Sequence, residues 1–154
     1  AVRVSKTDFV NRRLMNFDVD TIDKVLQDFC PNDYLPLMAV SPAMMMHLPS
    51  CGYQWNGYLL QSYVFGFSKA FGLSYSSFGK TGYYGAMVRR SCKTINNYGA
   101  LIERVLTDDN TWKTTADALD VLVKHGYQAL RKYKNIDTAT AKAKQNKSLS
   151  DDRR

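Results

Sequence analysis

Residues 34–102 contain no aspartate or glutamate. These 69 residues hold 13 of the chain's 19 aromatic side chains and the cations Lys69, Lys80, Arg89, Arg90 and Lys93. Aromatic side chains bury large areas, so so many rings in one block must enter a core or meet a partner. A cationic, aromatic block has an evident partner class, because rings stack on bases while Arg and Lys pair with phosphates. Core packing is the competing destination. The acids are skewed in kind as well: 13 of the 14 are Asp, and only Glu103 is Glu.

A chain of 154 residues is long enough for one domain with a sizeable core. It is 45% hydrophobic and 23% charged, which fits a globular protein. The net charge of +7 favours an anionic partner. Cys30, Cys51 and Cys92 are odd in number and widely spaced, which argues against a disulfide scaffold and for a reducing, intracellular compartment. With no CxxC and only His47 and His125, a zinc site would need long-range convergence. The opening AVRVSKTDFVNRR has no apolar stretch of the kind a secretory signal needs. No run of 18 apolar residues is present, so no transmembrane segment is expected.

The stretch SYSSFGKTGYYGAMVRR contains Gly79-Lys80-Thr81, the second half of a phosphate-binding loop. The position that needs the first glycine is Ser74, and no acid lies between Asp33 and Glu103 to hold a magnesium ion. The triplet therefore reads as a glycine-punctuated loop before a helix.

Hydrophobic spacing predicts most of the chain to be helical. Asp18 or Asp20 offers an N-cap for a helix ending near Phe29, with Ile22, Val25, Leu26 and Phe29 on one stripe. Ser41-Pro42 opens a short helix stopped by Pro49. Residues 57–73 read as a helix, with a strand through YVFGF as the competing reading. Residues 82–106 give the clearest helical pattern. Tyr84, Met87, Val88, Ile95, Tyr98, Ile102 and Val105 fall on one side, and Arg89, Arg90, Lys93, Asn96, Asn97 and Arg104 on the other. A last helix spans residues 114–133, opened by Thr114 with Asp117.

The expected fold is mainly α: a bundle of four to five helices with a loop-rich, aromatic central segment. Residues 1–134 would form a single helical domain with a basic N-terminal arm, and residues 135–154 a polar tail. The cationic face of the 82–106 helix, together with the loop before it, is the candidate binding surface. Lys80, Tyr83, Arg89, Arg90, Lys93, Asn97 and Arg104 would contact nucleic acid, and Tyr75 and Phe78 are the stacking candidates. No catalytic constellation is present. A Cys/His pair would have to come from distant residues such as Cys51 or Cys92 with His125, and Asp108-Asp109 reads as a helix cap. Met38, the MMMHL run and Cys51 read as core filling in place of a copper site, because consecutive Met residues project to different sides of a helix. No cofactor is expected.

The sequence thus points to a non-enzymatic nucleic-acid-binding assembly subunit. It would coat or package RNA or single-stranded DNA, as a coat protein or nucleoprotein does, in a virion or a ribonucleoprotein particle. It would act as a homo-oligomer or within a larger assembly. The alternative is a protein–protein adaptor that uses the aromatic block as its interface.

Overall fold

The computed structural model describes residues 1–75 and 82–152. The described residues form a mixed α/β fold of six helices and two small antiparallel sheets, which overturns the expected helical bundle. The sheet responsible comes from the aromatic block itself. β3 (Tyr34–Pro36), β4 (Phe71–Ser74) and β5 (Ala86–Arg89) pair in the order β3-β5-β4. The register sets Tyr34 and Gly72 beside Val88, and Leu35 and Leu73 beside Met87. The other sheet is a short pair, β1 (Val2–Arg3) with β2 (Phe9–Val10).

Strand alternation explains how one short sheet serves two cores. From β5, Met87 enters a core built by Ile22 and Leu26 of α1 (Val19–Phe29), by Leu60, Tyr63 and Val64 of α3 (Gly57–Gly66), and by Phe71. Ala86 and Val88 face the opposite core. That core gathers Leu101, Ile102, Val105 and Leu106 of α4 (Tyr98–Asp108) with Leu122 of α5 (Thr115–Lys124) and Trp112. The sheet is therefore the middle layer between two helical layers, with every β5 residue but Arg89 buried.

Helix starts follow cap chemistry. Asp18 caps α1 through Thr21, and Ser41 opens α2 (Pro42–Met45). Asn56 accepts from the Tyr58 and Leu59 N–H groups, and Asn97 from that of Ala100. Thr114 and Asp117 form the anticipated capping box.

Helix ends were less legible. The 57–73 helix stops at Gly66: the Phe67 and Ser68 N–H groups both turn back to the Tyr63 carbonyl, and Asp23 accepts those of Lys69 and Ala70. The 114–133 helix stops at Lys124, because Gly126 adopts φ +80°. A Cβ there would come within 2.5 Å of Met38 Sδ, so the close approach of Met38 also requires glycine. The 82–106 helix does not exist as one element. Gly85, at φ +111°, leads directly into β5, and Asn97 starts α4 afresh. The expected polar tail forms α6 (Ile136–Asp152), which lies on α4 and α5 through Ala139 and Ala143.

Asp23 is the buried polar hub, 6% exposed. Its Oδ1 accepts from Tyr63 Oη and Ser68 Oγ, each at 2.7 Å, and its Oδ2 from the Lys69 and Ala70 N–H groups at 2.9 and 3.0 Å. Ser68 Oγ in turn accepts from the Phe71 N–H. One carboxylate of α1 thereby fixes the end of α3 and the entry to β4. Removing it strands several buried donors, each costing about 1–3 kcal/mol.

Asp23→Ala is expected to destabilise the fold by about 3 kcal/mol or more in urea unfolding, and Asp23→Asn by clearly less, since the amide keeps one acceptor oxygen. A large loss for Asp23→Ala beside a negligible one for the isosteric Asp23→Asn would show that the hub acts by packing alone. Burial first, and then a hydrogen bond to a carboxylate, raises the Tyr34 and Tyr63 pKa values; burial raises that of Tyr127. The raised folded value means their neutral forms stabilise the fold fully below about pH 10, and that contribution is lost as the pH climbs towards the folded values. Alkaline absorbance titration should show a fraction of tyrosinate formation delayed until unfolding. Tyr63→Phe should shrink that fraction.

Candidate nucleic-acid interface

A groove of about 520 Å³ opens where β4 and β5 meet the start of α4. One wall is Gly72, Leu73, Ser74 and Tyr75; the other runs from Val88 through the turn after β5 to Tyr98. Among the described lining residues, Arg89, Arg90 and Lys93 carry charge and none is an acid. The Asn96–Tyr98 edge is the N-terminal end of α4, whose dipole adds a fractional positive charge.

The groove brings together five of the nine candidates: Tyr75, Arg89, Arg90, Lys93 and Asn97. They meet for a different reason from the helical face that suggested them. Arg89 closes β5, Arg90 and Lys93 lie in the following turn, and Asn97 caps α4. Their roles differ accordingly. Strand alternation aims the Arg89 guanidinium across the sheet to the end of α1. There its Nη2 donates to the Gln27 and Cys30 carbonyls and its Nε to that of Asn32. Arg89 therefore gathers three carbonyls at the C-terminal end of α1 and beyond it. The Asn97 side chain is occupied by Ala100 N–H and by Asn96 Oδ1.

Arg90 and Lys93 are the exposed cations of the groove. Arg90 lies over Gly72, where a Cβ would sit 3.6 Å from Nη1, and it donates to the Ser68 carbonyl at 3.3 Å. Lys93 Nζ donates to the Arg90 carbonyl at 3.1 Å. Ser74 Oγ on the facing wall is buried and has no hydrogen-bond partner among the described residues. A hydrogen bond with the Thr94 hydroxyl holds the Cys92 thiol at the groove below its ordinary pKa. Tyr98 donates its hydroxyl to the Tyr127 carbonyl, which fixes that wall. Such a surface offers donors and positive charge to an anion with several acceptor oxygens.

Arg104 and Tyr83 lie elsewhere. Arg104 pairs with Asp33 at 3.1 Å and Asp108 at 3.0 Å. Burial opposes its charge, but the two carboxylates outweigh that effect and raise its pKa. Tyr83 lies flat on Gly57 and meets Tyr58 edge-on at 5.1 Å. Lys80 and Phe78, with the Gly79-Lys80-Thr81 triplet, lie outside the described residues. Asn96, which the sequence places on the same polar face, also lines the groove, whereas sequence reasoning missed Ser74 on the opposite wall.

No cluster of three or more His, Cys, Asp or Glu suited to a metal occurs among the described residues, and no described helix is long and apolar enough to cross a membrane. No family model, curated protein or solved structure matches the chain.

The geometry separates the adjacent arginines by a stability measurement. Arg89→Ala should cost about 2 kcal/mol, seen as a thermal midpoint lower by roughly 4–8 °C, because charged donors leave the α1 terminus. Arg90→Ala should leave the midpoint within about 1–2 °C of the parent. The reverse order would contradict the division of roles.

Proposed function

We propose that this chain is a non-enzymatic nucleic-acid-binding assembly subunit that coats or packages RNA or single-stranded DNA. The observation that carries the reading is the acid-free groove, which sets exposed Arg90 and Lys93 beside the Asn96 amide and the N-terminal end of α4. Phosphate oxygens accept from guanidinium, ammonium and amide groups alike, and such contacts position a polymer without reading its sequence. The net charge of +7 supports the same partner class by drawing a polyanion towards the surface.

A protein–protein adaptor is the second reading. Its support is apolar exposure away from the groove: Met46 is 85% exposed and Leu130 71%. Within the aromatic block Tyr63 and Phe71 are fully buried and Tyr34 nearly so, while Phe65 is 59% exposed and open to such an interface. Self-association that persists at high salt without nucleic acid would favour the adaptor.

Fluorescence anisotropy with labelled single-stranded RNA, repeated across salt concentrations, tests the proposal. Affinity should fall steeply with salt. Replacing Arg90 and Lys93 together with Ala should weaken binding to all sequences and flatten the salt dependence by about 1.4, as expected for two phosphates on a single strand. Sedimentation on long RNA should then reveal regular particles or filaments. Absence of binding at low salt would overturn the reading.

A further inference from the structure

A row of alternating rings and charge lies on the β1–β2 side of the molecule. Val2 and Val4 turn inward with Cys51 and Leu59, so the intervening Arg3 points away from that cluster. Pairing sets Arg3 opposite Phe9. The Arg3 guanidinium carbon lies 5.8 Å from the centre of the Phe9 ring and 4.3 Å from that of Tyr58. Tyr58 meets Tyr83, which is seated on Gly57. The guanidinium is also anchored by the Ser5 and Lys6 carbonyls. The row is thus fixed at its inner end, while its outer ring, Phe9, is 61% exposed.

Core packing accounts for the inner members of this row and leaves Phe9 without a role. A rigid, exposed ring backed by a guanidinium is a stacking platform, since every nucleobase presents a π face and stacking tolerates any sequence. Lys6, whose carbonyl anchors Arg3, is exposed beside the row, and the neighbouring Asp8 accepts from the Ser5 hydroxyl at 2.8 Å.

We infer that Phe9, supported by Arg3 and Tyr58, stacks an unpaired base of the bound strand. The inference rests on the nucleic-acid-binding reading and adds to it a second contact of different chemistry. The groove takes phosphate, and Phe9 takes a base face that a duplex would hide. Single strands are therefore bound in preference to duplex.

The test uses the full chain, a labelled oligouridylate and the same sequence as a duplex, with anisotropy measured at several salt concentrations. Phe9→Ala removes an exposed ring and should leave the circular dichroism spectrum unchanged. It should weaken single-strand binding about ten-fold with the salt slope preserved, whereas loss of Arg90 and Lys93 changes the slope. Phe9→Trp should retain affinity, and Phe9→Leu should not, which separates stacking from simple apolar contact. Unchanged affinity in Phe9→Ala, while the Arg90 and Lys93 variant still weakens binding, would overturn the inference and leave the functional reading standing. Equal affinity of the parent for duplex and single strand would also overturn it. No binding by the parent chain would remove both.

Discussion

The Asp23 carboxylate is the interaction on which the rest of the structure depends. Its four acceptor contacts join three elements distant in sequence: α1, the end of α3 and the residues that enter β4. A buried carboxylate is tolerated only when its lone pairs are met, and here two hydroxyls and two backbone N–H groups meet them. Because two of the donors are main-chain groups, the bond fixes the path of the chain as well as side-chain packing. β4 begins immediately afterwards, and its register on β5 decides which residues face the groove. The position of Gly72 beneath Arg90 is thus set from a site on the far side of the sheet.

β5 turns that order into a division of labour. Its side chains alternate between two cores, so a strand of four residues ties both helical layers together. The same alternation separates neighbouring arginines of identical chemistry. Arg89 follows the strand and reaches the end of α1, while Arg90 lies in the turn and remains at the surface. Gly85 maintains the arrangement on the groove side, since a Cβ there would come within 2.5 Å of the Ser74 carbonyl and 2.9 Å of the Tyr75 side chain.

Features governed by local chemistry were legible in the sequence. The α1 stripe and its acidic cap, the Ser41-Pro42 start and the Thr114–Asp117 box all depend on residues a few positions apart. The sheet was not legible. Its strands are three or four residues long, too short for a period of two to register, and β3 is paired with a segment far away in the chain. Residues 82–106 also happen to align on a helical wheel, although Gly85 and Asn97 mark breaks at either end of the strand and turn. The groove was partly legible because its residues are close in sequence: Arg89, Arg90, Lys93 and Asn97 line it whether the segment is a helix or a strand and turn. What the sequence could not convey was the partner of each one. Arg104 looked like a surface cation until Asp33, 71 residues away, met it in the fold.

α6 differs from every other helix in what it gives to the interior. Ala139 and Ala143 are its buried apolar residues, and Thr140 bonds back to the Ile136 carbonyl of its own helix. Long side chains hold its outer edge: Lys144 and Lys147 lie 5.7 and 4.6 Å from the centre of the Trp112 ring, and Lys147 also donates to the Asp109 carbonyl. Ile136 packs against the same core from the start of the helix, and the small alanines let α6 come close to α4 and α5. A longer side chain at Ala139 or Ala143 would therefore lift α6 from the core that it shares with α4 and α5.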